Sequence, residues 1–170
     1  MTWNEYALEL ASVAAKKSKD PWRKVGACLL RHDNTVAGIG FNGFPTGMRE
    51  DWQDRDKRRL LVIHAEQNAL RYVKPGECSL IAVTLLPCND CLKAIASHGI
   101  KTVVYRDIYE RDKTTIDLAK DFGIELIQVG EGEISARWDH SGKPSVFCVS
   151  KKGFEIYRGP FKGGIGLLNK

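Results

Sequence analysis

Two short segments of the chain carry the residue types that bind a metal ion and move protons. They are His64-Ala65-Glu66 and Pro87-Cys88-Asn89-Asp90-Cys91. Residues three apart share one face of a helix, so Cys88 and Cys91 at a helix start direct both sulfurs to the same side. The partial positive charge of a helix N-terminus favours the thiolate form that a metal needs. With His64 these sulfurs make three protein ligands of the kind that zinc takes.

The number of ligands predicts a catalytic site. A structural zinc is closed by four protein ligands, whereas a catalytic zinc keeps one position for water, and the spacing offers no fourth ligand. Glu66 is too close to His64 to bind the same ion comfortably, but it can act on the water as general base and then as general acid. A redox Cys-x-x-Cys and a chance His-x-Glu are the alternatives. The presence of both motifs, each at a helix start, favours the metal.

Length and composition indicate one globular domain that binds something anionic. The chain has 170 residues, 43% hydrophobic and 28% charged, with a net charge of +5. That surplus suits an anionic ligand but does not establish nucleic-acid binding. No apolar run approaches the roughly 18 residues of a membrane span, and no basic leader precedes one. Five cysteines with one Cys-x-x-Cys pair fit a reducing compartment, so we expect a cytoplasmic protein without a membrane partner.

The hydrophobic pattern predicts an α/β fold that brings the two segments together. A capping box at Thr2 begins a first helix, and further helices are predicted at 63–72, 88–98 and 114–122. Strands are predicted at 25–30, 35–41, 79–84, 102–105 and 125–129. An antiparallel hairpin followed by βαβ crossovers gives one mixed sheet with helices on both faces. Both helix starts then lie at the carboxyl edge of the sheet, where such folds place their sites.

The composition changes after residue 129. Eight glycines fall between Gly130 and Gly166, and short strands are predicted at 134–138, 146–150 and 154–157. We therefore divide the chain into a catalytic region, 1–129, and a β-rich C-terminal extension of the same domain, 130–170. We expect the extension to cover the sheet edge or to contribute to contacts between subunits.

At its motifs the chain resembles the cytidine and deoxycytidylate deaminase superfamily, and within it the deoxycytidylate deaminase family. The similar segments are 18–27 (SKDPWRKVGA), 40–47 (GFNGFPTG) and 64–69 (HAEQNA). The resemblance covers about residues 1–129. It implies the three-layer cytidine-deaminase-like fold and the zinc-dependent hydrolysis of dCMP to dUMP and ammonia.

The resemblance also implies roles for individual residues. His64, Cys88 and Cys91 would hold Zn²⁺, and Glu66 would shuttle protons. The backbone N–H of Ala65 would donate a hydrogen bond to the cytosine O2. Asn42 would bind the sugar hydroxyl.

Regulation and assembly are implied in the same way. Family members are commonly homohexamers, and many are activated by dCTP and inhibited by dTTP, with Mg²⁺ accompanying the triphosphate. The loop that contains Gly43, Phe44 and Gly47 lies in the region associated with that control. A plain glycine turn is the alternative for this loop.

The phosphate of the substrate requires cations near the pocket. Arg23 and Lys24 lie just before the first strand and are our candidates. Tyr109 is a further candidate, as a phosphate donor or as a wall of the pocket. The alternative is that these side chains only solvate the surface.

Two other functions remain open from the sequence. The first is deamination of another substrate: dCTP, a riboflavin-precursor pyrimidine or a base within nucleic acid. Trp52 lies among Arg49, Arg55 and Arg58, but four acids in the same stretch argue against nucleic acid. The second is a non-catalytic zinc-stabilised nucleotide-binding module, which would have no need of Glu66. The other cysteines, Cys28, Cys78 and Cys148, are predicted to be buried or incidental thiols.

Overall fold

The computed structural model describes residues 1–108, 113–129, 133–138, 144–149 and 155–160. The helices are α1 (Trp3–Ala15), α2 (Arg55–Leu61), α3 (Ala65–Leu70), α4 (Asn89–Ser97) and α5 (Lys113–Asp121). The strands are β1 (Gly26–Arg31), β2 (Val36–Phe41), β3 (Cys78–Leu85), β4 (Thr102–Asp107), β5 (Glu125–Gln128), β6 (Glu133–Trp138), β7 (Pro144–Val149) and β8 (Glu155–Pro160).

All of these strands belong to one mixed sheet, in the order β2-β1-β3-β4-β5-β6-β7-β8. Strand β1 is antiparallel to β2 and β3, whereas β3, β4 and β5 run parallel through the α4 and α5 crossovers. The strands β6 to β8 continue the sheet as antiparallel neighbours. The predicted fold class is therefore confirmed. The boundary between a catalytic region and an extension at residue 129 stays a prediction.

Helices cover both faces of the sheet. Helix α1 packs against one face through small side chains such as Ala7 and Ala11, which meet Cys28 and Leu30 of β1. Helix α1 begins at the predicted capping box, in which Thr2 Oγ1 accepts from the N–H of Glu5 at 3.2 Å. The opposite face forms the larger apolar cluster, built from the central strands with α3, α4 and α5. That larger cluster lies beneath the helix starts that carry the site.

Two of the cysteines outside the motifs are core residues, as predicted. Cys28 is fully buried in β1 and Cys78 is buried at the start of β3. Burial raises the pKa of Cys28 to about 12, so this thiol stays protonated and unreactive. The side chain of Cys148 lies outside the part of the chain that the structure describes.

Helix α3 lies directly on the backbone of β2 because β2 carries glycine there. A Cβ atom added to Gly40 would be 2.4 Å from the carbonyl oxygen of Ala65 and 2.4 Å from the nitrogen of Ala69. Both contacts are with backbone atoms, which cannot rotate away as a flexible side chain can. Any larger residue at position 40 must push α3, the helix that follows His64, off the sheet.

Gly40→Ala is therefore expected to lower the free energy of unfolding by about 1–3 kcal/mol, the usual cost of overpacking a core. Urea unfolding followed by circular dichroism measures this. Gly43→Ala is the matched control, because a Cβ atom there meets nothing closer than a ring carbon of Phe41 at 4.0 Å. Equal unfolding midpoints for Gly40→Ala and the wild type would contradict the close packing of α3 on β2.

Candidate active site

The histidine and the first cysteine both occupy N-cap positions. Helix α3 begins at Ala65 and α4 at Asn89, slightly later than predicted, so His64 and Cys88 are the residues just before each helix. Both have extended backbone dihedrals, and neither side chain caps its own helix. Each side chain is therefore available to a ligand between the two helix starts.

The three predicted ligands meet in space. The Nδ1 atom of His64 lies 3.5 Å from the Sγ of Cys88 and 3.3 Å from the Sγ of Cys91. All three donor atoms lie within 4.8 Å of one another. Zinc bonds of about 2.3 Å to sulfur and about 2.0 Å to nitrogen at a tetrahedral angle would separate nitrogen from sulfur by about 3.5 Å. The donor set and its spacing therefore fit zinc.

The protonation of the two thiols differs sharply. A hydrogen bond from the Cys91 thiol, followed by one from His64, lowers the pKa of Cys88 to about 4. The same bond to Cys88, together with burial, raises the pKa of Cys91. The hydrogen bond with Cys88 also raises the pKa of His64. The lowered pKa of Cys88 favours its thiolate, which is the form that binds a cation.

Glu66 is a buried carboxylate beside these ligands. Its exposed fraction is 4%, and burial raises its pKa. It interacts with the thiol of Cys91 through a side-chain hydrogen bond. A carboxyl group in this position can accept a proton at the site and return it.

Asn89, the residue after Cys88, joins α4 to α5. Its amide nitrogen donates to Thr114 Oγ1 at 3.0 Å, and its Oδ1 accepts from Thr115 Oγ1 at 2.9 Å. Thr115 is fully buried. These bonds hold the start of α4, and with it the Cys88 thiol. The sequence motifs gave no role to the two threonines; the only signal was the polar residue inside Pro-Cys-x-x-Cys.

The end of β2 and the loop after it are fastened to the start of α3. Asn68 on α3 donates from Nδ2 to the carbonyl oxygen of Phe41 at 2.8 Å. Gly43 and Ile63 exchange two backbone hydrogen bonds of 3.1 and 2.9 Å. Asn42, between Phe41 and Gly43, is thereby held alongside the residue that precedes His64.

The side chain of Asn42 is largely engaged within the protein. Its exposed fraction is 7%. Its Oδ1 accepts from the N–H of Val25 at 2.8 Å, and its Nδ2 donates to the carbonyl oxygen of Arg23 at 3.0 Å and to Asp20 Oδ2 at 3.3 Å. Both amide hydrogens are used, whereas Oδ1 accepts one bond from the described residues and so keeps a second lone pair toward them.

The remaining predicted binding residues lie near this point, with one exception. Arg23 and Lys24 are exposed just before β1, and Arg23 is joined to Asn42 through its carbonyl oxygen. Ala65 is buried in the first position of α3, where a backbone N–H has no partner within the helix. Tyr109 lies outside the described residues.

Two aromatic contacts join the stretch 49–59 to its neighbours. One is with the loop after β2, and the other is with the segment before β1. The ring of Phe44 meets that of Trp52 edge to face, with centroids 4.7 Å apart. The guanidinium of Arg58 on α2 lies 4.1 Å above the ring of Trp22 and donates to the carbonyl oxygen of Trp52 at 3.3 Å. Trp52 is thus half-buried, with its ring in contact with that of Phe44. The charged stretch 49–59 supplies most of α2.

Helices in the described part of the chain are too short or too polar to cross a membrane.

Comparisons with known proteins agree with this geometry. A family profile described as "Cytidine and deoxycytidylate deaminase zinc-binding region" matches residues 1–107. A deoxycytidylate deaminase of Pongo abelii is 39% identical over 116 residues, which cover 62% of this chain and 65% of that protein. One of Mus musculus is 36% identical over 128 residues, covering 68% of this chain and 71% of that protein.

A solved structure shows the same architecture. The dCMP deaminase of cyanophage S-TIM5, in complex with dCMP and dUMP, is 30% identical with a TM-score of 0.65. The match covers 74% of this chain and 95% of that one. The shared architecture thus extends over nearly all of the cyanophage enzyme. The sequence match spans about two thirds of the length of the two mammalian proteins.

Proposed function

Because this chain belongs to the cytidine and deoxycytidylate deaminase family, we propose that it hydrolyses dCMP to dUMP and ammonia. The observation that carries the proposal is the convergence of His64, Cys88 and Cys91 beside the buried carboxyl of Glu66. The similarity to a dCMP deaminase with dCMP and dUMP bound supports the choice of nucleotide.

His64, Cys88 and Cys91 hold Zn²⁺ in this proposal. Zinc, when bound, supplies a Lewis acid that makes water nucleophilic near neutral pH. Two thiolate ligands and one imidazole leave a position open, as catalytic zinc sites require. The hydrogen bonds of Asn89 anchor the start of α4 to α5, and the packing of α3 on Gly40 anchors the start of α3 to β2.

Glu66 moves the protons. It takes one from the water that attacks C4 of the cytosine ring and delivers it to ring nitrogen N3. It then collects the proton of the new C4 hydroxyl and passes it to the departing amine. The C4–N4 bond breaks and the amine leaves as ammonia. The burial of Glu66 suits both transfers, because its carboxyl is shielded from bulk water and burial raises its pKa.

Substrate recognition uses the neighbouring backbone and loops. The N–H of Ala65, in the first turn of α3, donates to the cytosine O2. The free lone pair on Oδ1 of Asn42 accepts from the sugar hydroxyl. Arg23 and Lys24 contact the phosphate, and Tyr109 joins them as a donor or as a wall of the pocket. The carbonyl of Arg23, bonded to Asn42, supports placing these two contacts side by side.

Removal of the two cations tests the phosphate contact. The double variant Arg23→Ala, Lys24→Ala is expected to raise KM for dCMP about tenfold or more, because charged hydrogen bonds to the phosphate are lost. Its kinetics on deoxycytidine, which has no phosphate, should not change. Lys16→Ala, an exposed lysine at the end of α1, is the matched control. An equal loss on both substrates would show that the two cations do not contact the phosphate.

The proposed reaction is tested with purified, zinc-loaded protein. We expect ammonia and dUMP in equal amounts from dCMP, and a lower kcat/KM on dCTP, on a riboflavin-precursor pyrimidine and on cytosine in single-stranded DNA. Faster turnover of one of these compounds would show that it, rather than dCMP, is the substrate. Stoichiometric zinc without ammonia from any of them would favour the non-catalytic nucleotide-binding module instead.

Control by nucleotides is proposed for the loop that contains Gly43, Phe44 and Gly47. We propose that dCTP activates and dTTP inhibits, each carried with Mg²⁺. The bonds between Gly43 and Ile63 support this, because a ligand on the loop would act directly on the residue before His64. Substrate curves that do not move with either triphosphate would remove the proposal.

Assembly and location complete the proposal. We propose a homo-oligomer, a hexamer by resemblance, in the cytoplasm. Large apolar side chains that stay exposed on α1 and β2 support self-association; they are Trp3, Val13, Ile39 and Phe41. Light scattering on the full chain measures the assembled mass, and a monomer at all concentrations would contradict it. Residues 1–129 are proposed to carry the chemistry and 130–170 to extend the same domain.

A further inference from the structure

Two buried polar residues at the start of the segment before β1 have no role in the chemistry described so far. Ser18 and Asp20 have exposed fractions of 2% and 7%. Both lie more than twenty residues from Asn42 in the chain, yet both bond to it. A buried carboxylate is costly unless its oxygens are hydrogen-bonded, so its partners indicate what it is for.

The two oxygens of Asp20 have different partners. Oδ1 accepts from the backbone N–H groups of Trp22 and Arg23, both at 2.9 Å, and so shapes the turn that leads to β1. Oδ2 accepts from Nδ2 of Asn42 at 3.3 Å. One carboxylate therefore orders the segment with the phosphate candidates and holds the Asn42 amide.

Ser18 holds the backbone of the same asparagine. Its hydroxyl donates to the carbonyl oxygen of Asn42 at 2.9 Å and accepts from the N–H of Asp20 at 3.2 Å. Asn42 is consequently fixed at both its main chain and its side chain by residues 18 and 20.

Three residues fix which end of the amide can meet a ligand: the N–H of Val25 donates to Oδ1, and the Arg23 carbonyl and Asp20 Oδ2 both accept from Nδ2. A carboxylate accepts hydrogen bonds and never donates them, so Asp20 requires the nitrogen of Asn42 to face it. The oxygen then faces Val25 with one lone pair to spare. We propose that Asp20 and Ser18 are positioning residues that hold Asn42 Oδ1 as the acceptor for the 3′-hydroxyl of the deoxyribose. This inference rests on the proposed deamination of dCMP.

The test compares the wild type and one variant on two substrates, one with the 3′-hydroxyl and one without it. Asp20→Asn keeps an oxygen for Trp22 and Arg23 but sets an amide nitrogen against that of Asn42. The kcat/KM values of wild type and variant are measured on dCMP and on 2′,3′-dideoxycytidine 5′-monophosphate, which lacks the hydroxyl. We expect the wild type to prefer dCMP about tenfold, the worth of one well-placed hydrogen bond. In Asp20→Asn this preference should fall below about threefold, with the loss in KM and with zinc content unchanged.

A second variant and a control keep the result interpretable. Ser18→Ala removes the other support of Asn42 and should reduce the preference for dCMP in the same direction, even where Asp20→Asn folds poorly. Asp33→Asn is the matched control, because Asp33 also bonds to backbone and hydroxyl groups in a turn, at Thr35 between β1 and β2. Its preference should equal that of the wild type.

Results that would overturn this inference can be distinguished from a result that would overturn the proposed function. If Asp20→Asn and Ser18→Ala weaken catalysis on both nucleotides by the same factor, the two residues serve folding alone and the inference is overturned. Wild-type preference in both variants overturns it as well. A wild type that is inactive on both nucleotides removes the proposed function, and the inference with it.

Discussion

Glu66→Gln is expected to lower kcat for dCMP by about two to four orders of magnitude while zinc stays bound. Glutamine matches glutamate in shape, so the buried position beside Cys91 remains filled. An amide, however, cannot take a proton from water and return it to the ring nitrogen or the amine. The loss should fall on turnover, and the dissociation constant for dCMP should change little.

Stopped-flow or steady-state ammonia assays, with metal analysis of the same samples, measure this effect. Glu9→Gln makes the same chemical change on the exposed face of α1 and should behave as the wild type. Turnover of Glu66→Gln within tenfold of the wild type, at equal zinc content, would remove Glu66 from its proposed role.

Cys91→Ala is expected to abolish stoichiometric zinc binding and, with it, deamination. Cys91 is fully buried and its sulfur lies 3.3 Å from His64 Nδ1. Among the described residues it is one of three donors, with His64 and Cys88, that are grouped closely enough to share one ion. Two remaining ligands hold zinc far less tightly than three. A ligand that binds the native state at a thousand times its dissociation constant stabilises that state by about 4 kcal/mol, so the variant should also unfold more easily.

Thermal unfolding with and without a strong chelator separates the two contributions. Chelation should lower the melting temperature of the wild type and leave that of Cys91→Ala unchanged. Cys78→Ala, which removes another buried thiol outside the site, should keep its zinc and its response to the chelator. A wild-type protein that is indifferent to chelation, or one zinc per chain in Cys91→Ala, would contradict the ligand set.

The sequence alone predicted the residues that the structure brings together at the candidate site. His64, Glu66, Cys88 and Cys91 could be picked out because their chemistry and their spacing are local properties. A helix start imposes the same geometry wherever it occurs, and a three-residue spacing on it always puts two side chains on one side. The α/β class followed for a similar reason, since the alternation of helical and strand patterns leaves few ways to form a mixed sheet. The structure confirmed this fold class.

Element ends were less accurate than element types. The third helix was predicted at 63–72 but spans Ala65–Leu70. His64 has an extended backbone because it occupies the N-cap position, and Ile63 is paired with Gly43 by two backbone hydrogen bonds. Apolar periodicity does not register either effect, because each depends on a partner outside the segment.

What only the tertiary structure decided is how the surroundings hold the centre in place. Asn42 could be named from its motif, but its orientation depends on Val25, Arg23 and Asp20, which lie 17 to 22 residues earlier in the chain. Gly40 is required only because α3 crosses it, and Asn89 matters through two threonines on another helix. Such contacts join residues that are far apart in the sequence. Each is a single weak interaction, so none of them produces a recognisable sequence motif. They become visible once folding has brought the partners together.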